Sequence, residues 1–395
     1  MTANLWSCNT PELFWLCQPN PPQDAWRVAI QKACPVLGMA VDPGDIDGLL
    51  AMTLGEGQFG PHHWELTKLK NIYLLIKPFI PKKLRNRIRS LLQASSQKDS
   101  ALGWPIEDRY VRFQWEVMRQ LLVCLRVDTT QFITFWPGHY DFSLVLTHDV
   151  ESGMGQSFIQ TVADLEESLR FRSSFNFVIG DYTIDDKVVE SLKRRGFEVG
   201  IHGLRHDNKL FSSLPAFKEQ VKIINEYLKM YEAVGFRSPS TYRQPEWMQL
   251  LDIEYDSSFF DTDPWEPIPG GTTCIWPFIL GRFVELPYTL VQDNTLVNVL
   301  RQKTQKIWLE KVEFIRRYHG MVLINTHPDY LRDKTVWNVY ADFLKEMLEH
   351  RNYWHALPKE VARWWLFRSK GNLSDGLFNT STGEVKIHEG ELIIC

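Results

Sequence analysis

The chain is poor in the features that would place it quickly. It has only six cysteines in 395 residues, Cys8, Cys17, Cys34, Cys124, Cys274 and Cys395, and no C-x-x-C pair among them. That excludes a disulfide framework and a thiolate zinc site, and points to reduced thiols in a cytoplasm. Charge of one sign is also missing: the net charge is -4, so nothing global favours nucleic acid or an anionic membrane as partner. No apolar run is long enough to span a bilayer; the best candidate, Ile72 to Ile80, is cut by Lys77 and Pro78. The N-terminus lacks the positive charge followed by a long apolar stretch that a secretory signal needs. A serine hydrolase is disfavoured, because no G-x-S-x-G occurs.

What is present reads as an ordinary globular protein, with 44% apolar and 23% charged residues. Its length exceeds one ordinary core and suits a barrel-sized domain with an appendage. Residues 1–140, punctuated by Trp and Pro, form an expected N-terminal α/β accessory domain. Within it Asp42, Asp45 and Asp47 read as turn and cap residues, because they lack calcium-loop spacing. His62, His63 and Glu65 lack the spacing of a metalloprotease helix. The basic stretch Lys77 to Arg89, with Leu84, Ile88 and Leu91 at helical spacing, is either a solvated face or a patch for an anionic membrane surface or a polyanionic substrate. Glu107 to Val127 reads as a helix joining the two halves.

After Asp141 the pattern alternates between strand and helix. Ser143 to Thr147, Phe175 to Ile179, Glu198 to His202, a short stretch near Thr241 to Arg243, Phe283 to Leu286 and Met321 to Asn325 read as strands. Between them Ile159 to Leu169, Lys187 to Arg195, Phe217 to Tyr231, Leu296 to Tyr318 and Val336 to Met347 read as helices. Such repeats imply parallel strands with helices outside, and in (β/α) barrels functional groups sit at the C-terminal strand ends. Asp149, His202, Arg243 and His327 fall at or just past such ends. The barrel is expected over 141–370, with 371–395 as a polar hairpin tail.

The sharpest local signal is Ile201 to His206, where His202 and His206 stand four residues apart directly after an apolar run. Two imidazoles converging there suit a divalent metal with one carboxylate and an open position. The carboxylate is sought in Thr147 to Glu151, T-H-D-V-E, where Asp149 and Glu151 share one side of an extended chain. Trp247, Trp265 and Trp276 lie near these motifs and either stack on sugar rings or fill core.

T-H-D-V-E at 147, H-G-L-R-H at 202, Y-R-Q-P-E-W at 242, Y-D-S-S-F at 255 and I-N-T-H at 324 resemble, in order, the motifs of the polysaccharide deacetylase (NodB-homology) family. The resemblance implies a distorted (β/α) barrel and a metal-dependent hydrolase, with zinc the expected ion, that removes acetyl groups from acetylated sugars. It implies His202 and His206 as ligands and Asp149 as the base acting on the metal-bound water. Arg243 would hold and ionise Asp149, and His327 would protonate the departing amine. The first motif departs from the usual adjacent aspartates and resembles a D-x-D variant, with Glu151 in the ligand's place. If Glu151 does not bind, Asp149 ligates the metal and the base is unassigned. His148 reads as a packed histidine, and Gly203 replaces a hydroxyl residue, with Asp207 as a substitute acceptor. Three other readings stand beside this one. They are a carbohydrate-binding homologue without turnover, a hydrolase of a non-sugar amide, and a dinucleotide-binding oxidoreductase suggested by Gly153-Met154-Gly155, where Phe158 stands in place of the third glycine.

Overall fold

The structure is a computed structural model that describes residues 4–42, 44–61, 63–64, 102–371 and 378–395. The basic stretch Lys77 to Arg89, His62 and Glu65 lie outside the described residues.

Strands are numbered in chain order. β1 (Cys17–Gln18), β2 (Thr129–Ile133), β12 (Thr382–His388) and β13 (Glu391–Ile394) form a small antiparallel sheet in the order β1-β2-β12-β13. The C-terminal hairpin therefore adds to β2, the strand that precedes the larger sheet in the chain.

The larger sheet carries the site. β3 (Phe142–Val150) lies between β10 (Met321–Thr326) and β4 (Ser174–Phe177), and the path continues through β5 (Glu198–Ile201), β6 (Gly235–Phe236), β7 (Tyr255–Asp256), β9 (Phe283–Glu285) and β8 (Phe278–Leu280). β11 (Tyr353–His355) pairs with the start of β3. Every pairing is parallel except β8 with β9. β3 is buried at all nine positions, its apolar residues in the core and the polar Thr147, His148 and Asp149 gathered towards its C-terminal end. The chain after β9 returns to β10: Leu290 makes a parallel bridge to Ile324, and the Leu290 and Thr289 N–H groups both donate to the Leu323 carbonyl. The sheet thus curls into a distorted barrel, with helices in the connections.

Those helices begin where local chemistry dictates. Ser152 accepts from the N–H groups of Met154 and Gly155 to open Gly153–Ser168. Asp185 caps Asp186–Arg194, and Ser213 with Pro215 starts Leu214–Met230. Two expected elements differ. No strand forms at Thr241 to Arg243, because Pro239 opens a 3-10 turn there, with Ser240 and Thr241 at positive φ. The helix expected across Leu296 to Tyr318 divides into a π turn at Thr295–Val299 and a helix at Lys306–Arg317.

Trp276 is fully buried and donates to the His319 carbonyl, and Trp265 is buried against Trp104, so both fill core. Trp247 is half-buried beside Phe211 and Phe217. In the N-terminal segment Asp45 caps Ile46–Thr53 and Asp42 accepts from the Gly44 N–H, as their spacing suggests. No helix among the described residues is long and apolar enough to cross a membrane.

Candidate metal centre

The C-terminal ends of β3, β4, β5, β6 and β10 deliver polar side chains to one place. Glu151, just past β3, meets His202 and His206, which follow β5. One ligand atom from each lies within 4.8 Å of the others. His206 Nε2 is 3.1 Å from Glu151 Oε1. His202 Nδ1 lies 3.0 Å from the Arg237 carbonyl, a contact that places its proton on Nδ1 and leaves Nε2 with a lone pair for a metal.

Titration behaviour agrees with that donor set. Burial, offset in part by Asp149, brings His202 down to about 4, so it is neutral at neutral pH. Glu151 resists the burial that would raise it, because a hydrogen bond and charge from His206, then His327 and His202, bring it to about 2. The ligands of one tetrahedral zinc stand about 3.4 Å apart, so small side-chain rotations would gather these three around one ion. The residues fit a divalent cation.

Asp149 sits at the His202 end of the cluster, its Oδ2 being 3.9 Å from His202 Nε2. It is 2% exposed and held by three donors: Asn176 Nδ2 at 3.0 Å and Arg237 Nη1 at 3.2 Å on Oδ1, and Asn325 Nδ2 at 2.8 Å on Oδ2. Burial alone would raise its pKa. Arg237, then His202 and His327, overcome that and hold it well below the usual carboxylate range. Arg237 also donates to Thr147 Oγ1 and, through Nε, to the Ser257 carbonyl, so its guanidinium is fixed from three sides.

The guanidinium on Asp149 is therefore that of Arg237, not Arg243. Arg243 lies beyond the turn at Pro239–Thr241 and makes a two-pronged ion pair with Glu56, at 2.8 and 2.7 Å. Both are fully buried, and the Arg243 guanidinium stacks on Trp64, Phe259 and Phe260. The pair fastens the N-terminal segment to the barrel. Arg237 was legible in principle: Val234-Gly235-Phe236 is a short apolar run that ends directly before it. Removing the cation from Glu56 by Arg243→Met should destabilise the fold by about 3 to 5 kcal/mol, the usual consequence of leaving one buried charge unpaired. Urea denaturation at neutral pH measures that loss. Against the opposing effect of burial, Arg243 and then His63 hold Glu56 below its ordinary value. Its contribution to stability is thus present above the unfolded carboxylate range and fades as pH falls through the folded pKa.

His327 lies at the Glu151 end, with Nε2 3.8 Å from Glu151 Oε1. Its partner is Asp293, a residue no sequence motif singles out. Asp293 Oδ1 is 2.7 Å from His327 Nδ1, and Oδ2 accepts from the His327 backbone N–H at 2.9 Å. Burial would lower His327, but Asp293, then Glu151 and Asp149, raise it to about 10. Asp293 follows no strand and shares no spacing with the histidines, so only the folded chain brings it in.

Three sequence departures acquire physical reasons. Gly203 has φ +70, and a Cβ there would press on the Pro239 ring, so a hydroxyl side chain is excluded. Asp207 bonds the Lys209 N–H, whereas Asp181 accepts from the His206 N–H at 2.7 Å. His148 is a packed histidine, 2.6 Å from Glu166, 2.7 Å from Thr326 and stacked on Phe175. The Gly153-Met154-Gly155 segment is not open to a pyrophosphate. Asp329 accepts from Ser152 Oγ and the Glu151 N–H, and a Cβ at position 155 would overlap its carboxylate. An internal carboxylate thus stands where a dinucleotide would bring its phosphates.

No family profile and no curated protein matches the chain. The chain is similar in fold to polysaccharide deacetylases. A protein of Mycobacterium smegmatis assigned to them shares 15% identity over 59% of this chain and 93% of its own, at a TM-score of 0.48. An allantoinase shares 14% identity over 58% of this chain and 92% of its own, at 0.47. A CE4 family pseudoenzyme from Bacillus anthracis shares 14% over 57% of this chain and 66% of its own, at 0.38. Likenesses at this level carry no activity across, and function has to be read from the site.

Proposed function

We propose that the protein is a metal-dependent hydrolase that removes acetyl groups, foremost from nitrogen, from a carbohydrate or glycoconjugate. The observation that supports this reading is the meeting of Glu151, His202 and His206 with a buried carboxylate at one end and a buried imidazole at the other. A divalent cation held by two imidazoles and one carboxylate, zinc foremost, supplies Lewis acidity that polarises an acyl carbonyl and acidifies water.

The chain's own groups divide the proton work. Asp149, kept ionised and oriented by Arg237, Asn176 and Asn325, accepts a proton from the attacking water as its oxygen bonds to the acyl carbon. His327, kept protonated by Asp293, gives its proton to the nitrogen as the carbon–nitrogen bond breaks. Acetate and a free amine leave in equal amounts. Placed acid and base groups of this kind each contribute roughly 10²- to 10⁴-fold.

The test is release of acetate and amine from N-acetylglucosamine oligosaccharides by the purified protein, with and without a chelator. Equal release, abolished by chelation and restored by added zinc, is the expected result. An ion-loaded protein that binds these sugars and frees no acetate from N- or O-acetylated forms would favour the non-hydrolytic homologue instead.

A further inference from the structure

The barrel interior beneath Asp149 is polar. Asn176 on β4 donates through Nδ2 to Asp149 Oδ1 at 3.0 Å, and its own Oδ1 accepts at 3.1 Å from Ser174 Oγ, which faces the same side two residues back. The Ser174 hydroxyl also bonds the Tyr255 hydroxyl on β7. Tyr255 Oη in turn lies 2.9 Å from Glu198 Oε1 on β5, and Glu198 Oε2 accepts from the Lys359 N–H at 3.1 Å, near the start of the last helix (Pro358–Ser369). The side chains of Asp149, Asn176, Ser174, Tyr255 and Glu198 are all buried. A hydrogen-bonded path thus crosses the barrel from the candidate metal centre to that helix.

Two glycines leave room for it. A Cβ at position 200 would stand 2.2 Å from Asn176 Oδ1, and one at position 235 would stand 2.1 Å from the Tyr255 hydroxyl. Asn176 has an acceptor at one end of its amide and donors at the other, and the Asp149 carboxylate needs the donor end. The Ser174 hydroxyl selects it, being the donor that reaches Asn176 Oδ1 among the described residues. Burial raises Glu198 to about 7. Protonated, it gives its hydrogen to Tyr255, Tyr255 to Ser174 and Ser174 to Asn176, so that each hydroxyl spends its one hydrogen in the direction of Asp149. Ionised, it takes the Tyr255 hydrogen, and Ser174 still gives its own to the amide oxygen, which has no other donor. Asp149 is held in both states.

We propose that Ser174 is a positioning residue of the candidate centre, fixing through Asn176 the direction in which Asp149 presents its carboxylate. Tyr255, anchored by Glu198, holds Ser174 from the far side. Ser174 is fully buried and meets no substrate, so its influence on the reaction passes through Asn176. The inference rests on the reading of Asp149 as the group that accepts the proton of the attacking water.

A double-mutant cycle and a crystal structure test this. In the zinc-loaded full chain, Ser174→Ala should lower kcat for acetate release by roughly 10-fold, since a misplacement of about 1 Å costs roughly 10²-fold, while KM and zinc content stay as in the wild type. In an Asn176→Ala background the same substitution should change kcat little, because its route to Asp149 is gone. Should Ser174→Ala fail to fold, Gly200→Ala keeps the hydroxyl, presses on Asn176 Oδ1 and should lower kcat likewise. Crystals of the folded variant should show Asn176 turned and the Asp149 carboxylate displaced by roughly 0.5 Å or more. An unchanged kcat, a loss confined to KM, additive losses in the double variant or an unmoved Asp149 would overturn the proposal. A wild type that releases no acetate would sink the hydrolase reading instead, and the displacement of Asp149 in the crystal would then decide the role of Ser174 by itself.

Discussion

Replacing His202 by alanine is expected to strip the protein of its divalent ion and to lower hydrolysis by about 10³-fold or more. Loss of a residue that merely orients a ligand reduces metal affinity by roughly 10- to 100-fold, and His202 supplies a ligand atom itself. It is 2% exposed and preset, its Nδ1 bonded to the Arg237 carbonyl, so no water can take its place at low cost. Metal content after gel filtration reads the outcome: close to one equivalent for the wild type and close to none for the variant. Glu151→Gln then separates the two carboxylates. If Glu151 is a ligand, the amide should release the ion. If the ion stays while Asp149→Asn loses it, the ligand is Asp149 and the proton acceptor must be sought elsewhere.

The second large effect concerns the acid. His327→Ala should retain the ion and lose roughly 10²- to 10⁴-fold in turnover, the usual contribution of a placed proton donor. A variant with unchanged kcat would remove His327 from the reaction. The paired test is Asp293→Asn, which keeps an acceptor for Nδ1 and removes the charge. His327 is raised to about 10, Asp293 being its largest favourable partner, so the wild type should hold its acid proton through neutral pH and lose activity only on approaching pH 10. The sign follows from the raised pKa, because the active form is protonated and is lost as pH climbs. In Asp293→Asn the alkaline limb of kcat/KM should move down by at least one unit towards neutrality. An unmoved limb would show that another group sets it.

Much of the barrel was legible because its strands are short apolar runs and its helices carry regular apolar faces with capping residues. Leu214–Met230 buries Phe217, Val221, Ile224 and Leu228, the residues its spacing selects. The grouping of Glu151, His202 and His206 was legible for a related reason, since Glu151 and His202 stand just past strands of one parallel sheet, whose ends lie together, and His206 follows four residues on. The choice of arginine was not. Arg237 and Arg243 are only six residues apart, and which one faces Asp149 depends on where the chain turns at Pro239.

The sequence by itself determined most of the periodic elements, because hydrophobic spacing and capping residues are local properties written in consecutive positions. Only the tertiary structure decided the partners. Arg237 on Asp149, Asp293 on His327, Glu56 on Arg243 and Glu198 on Tyr255 join positions from 34 to 187 residues apart, or lie across strands that touch only when the sheet curls. A buried charge selects its partner by distance and desolvation in three dimensions, and no linear pattern encodes that distance.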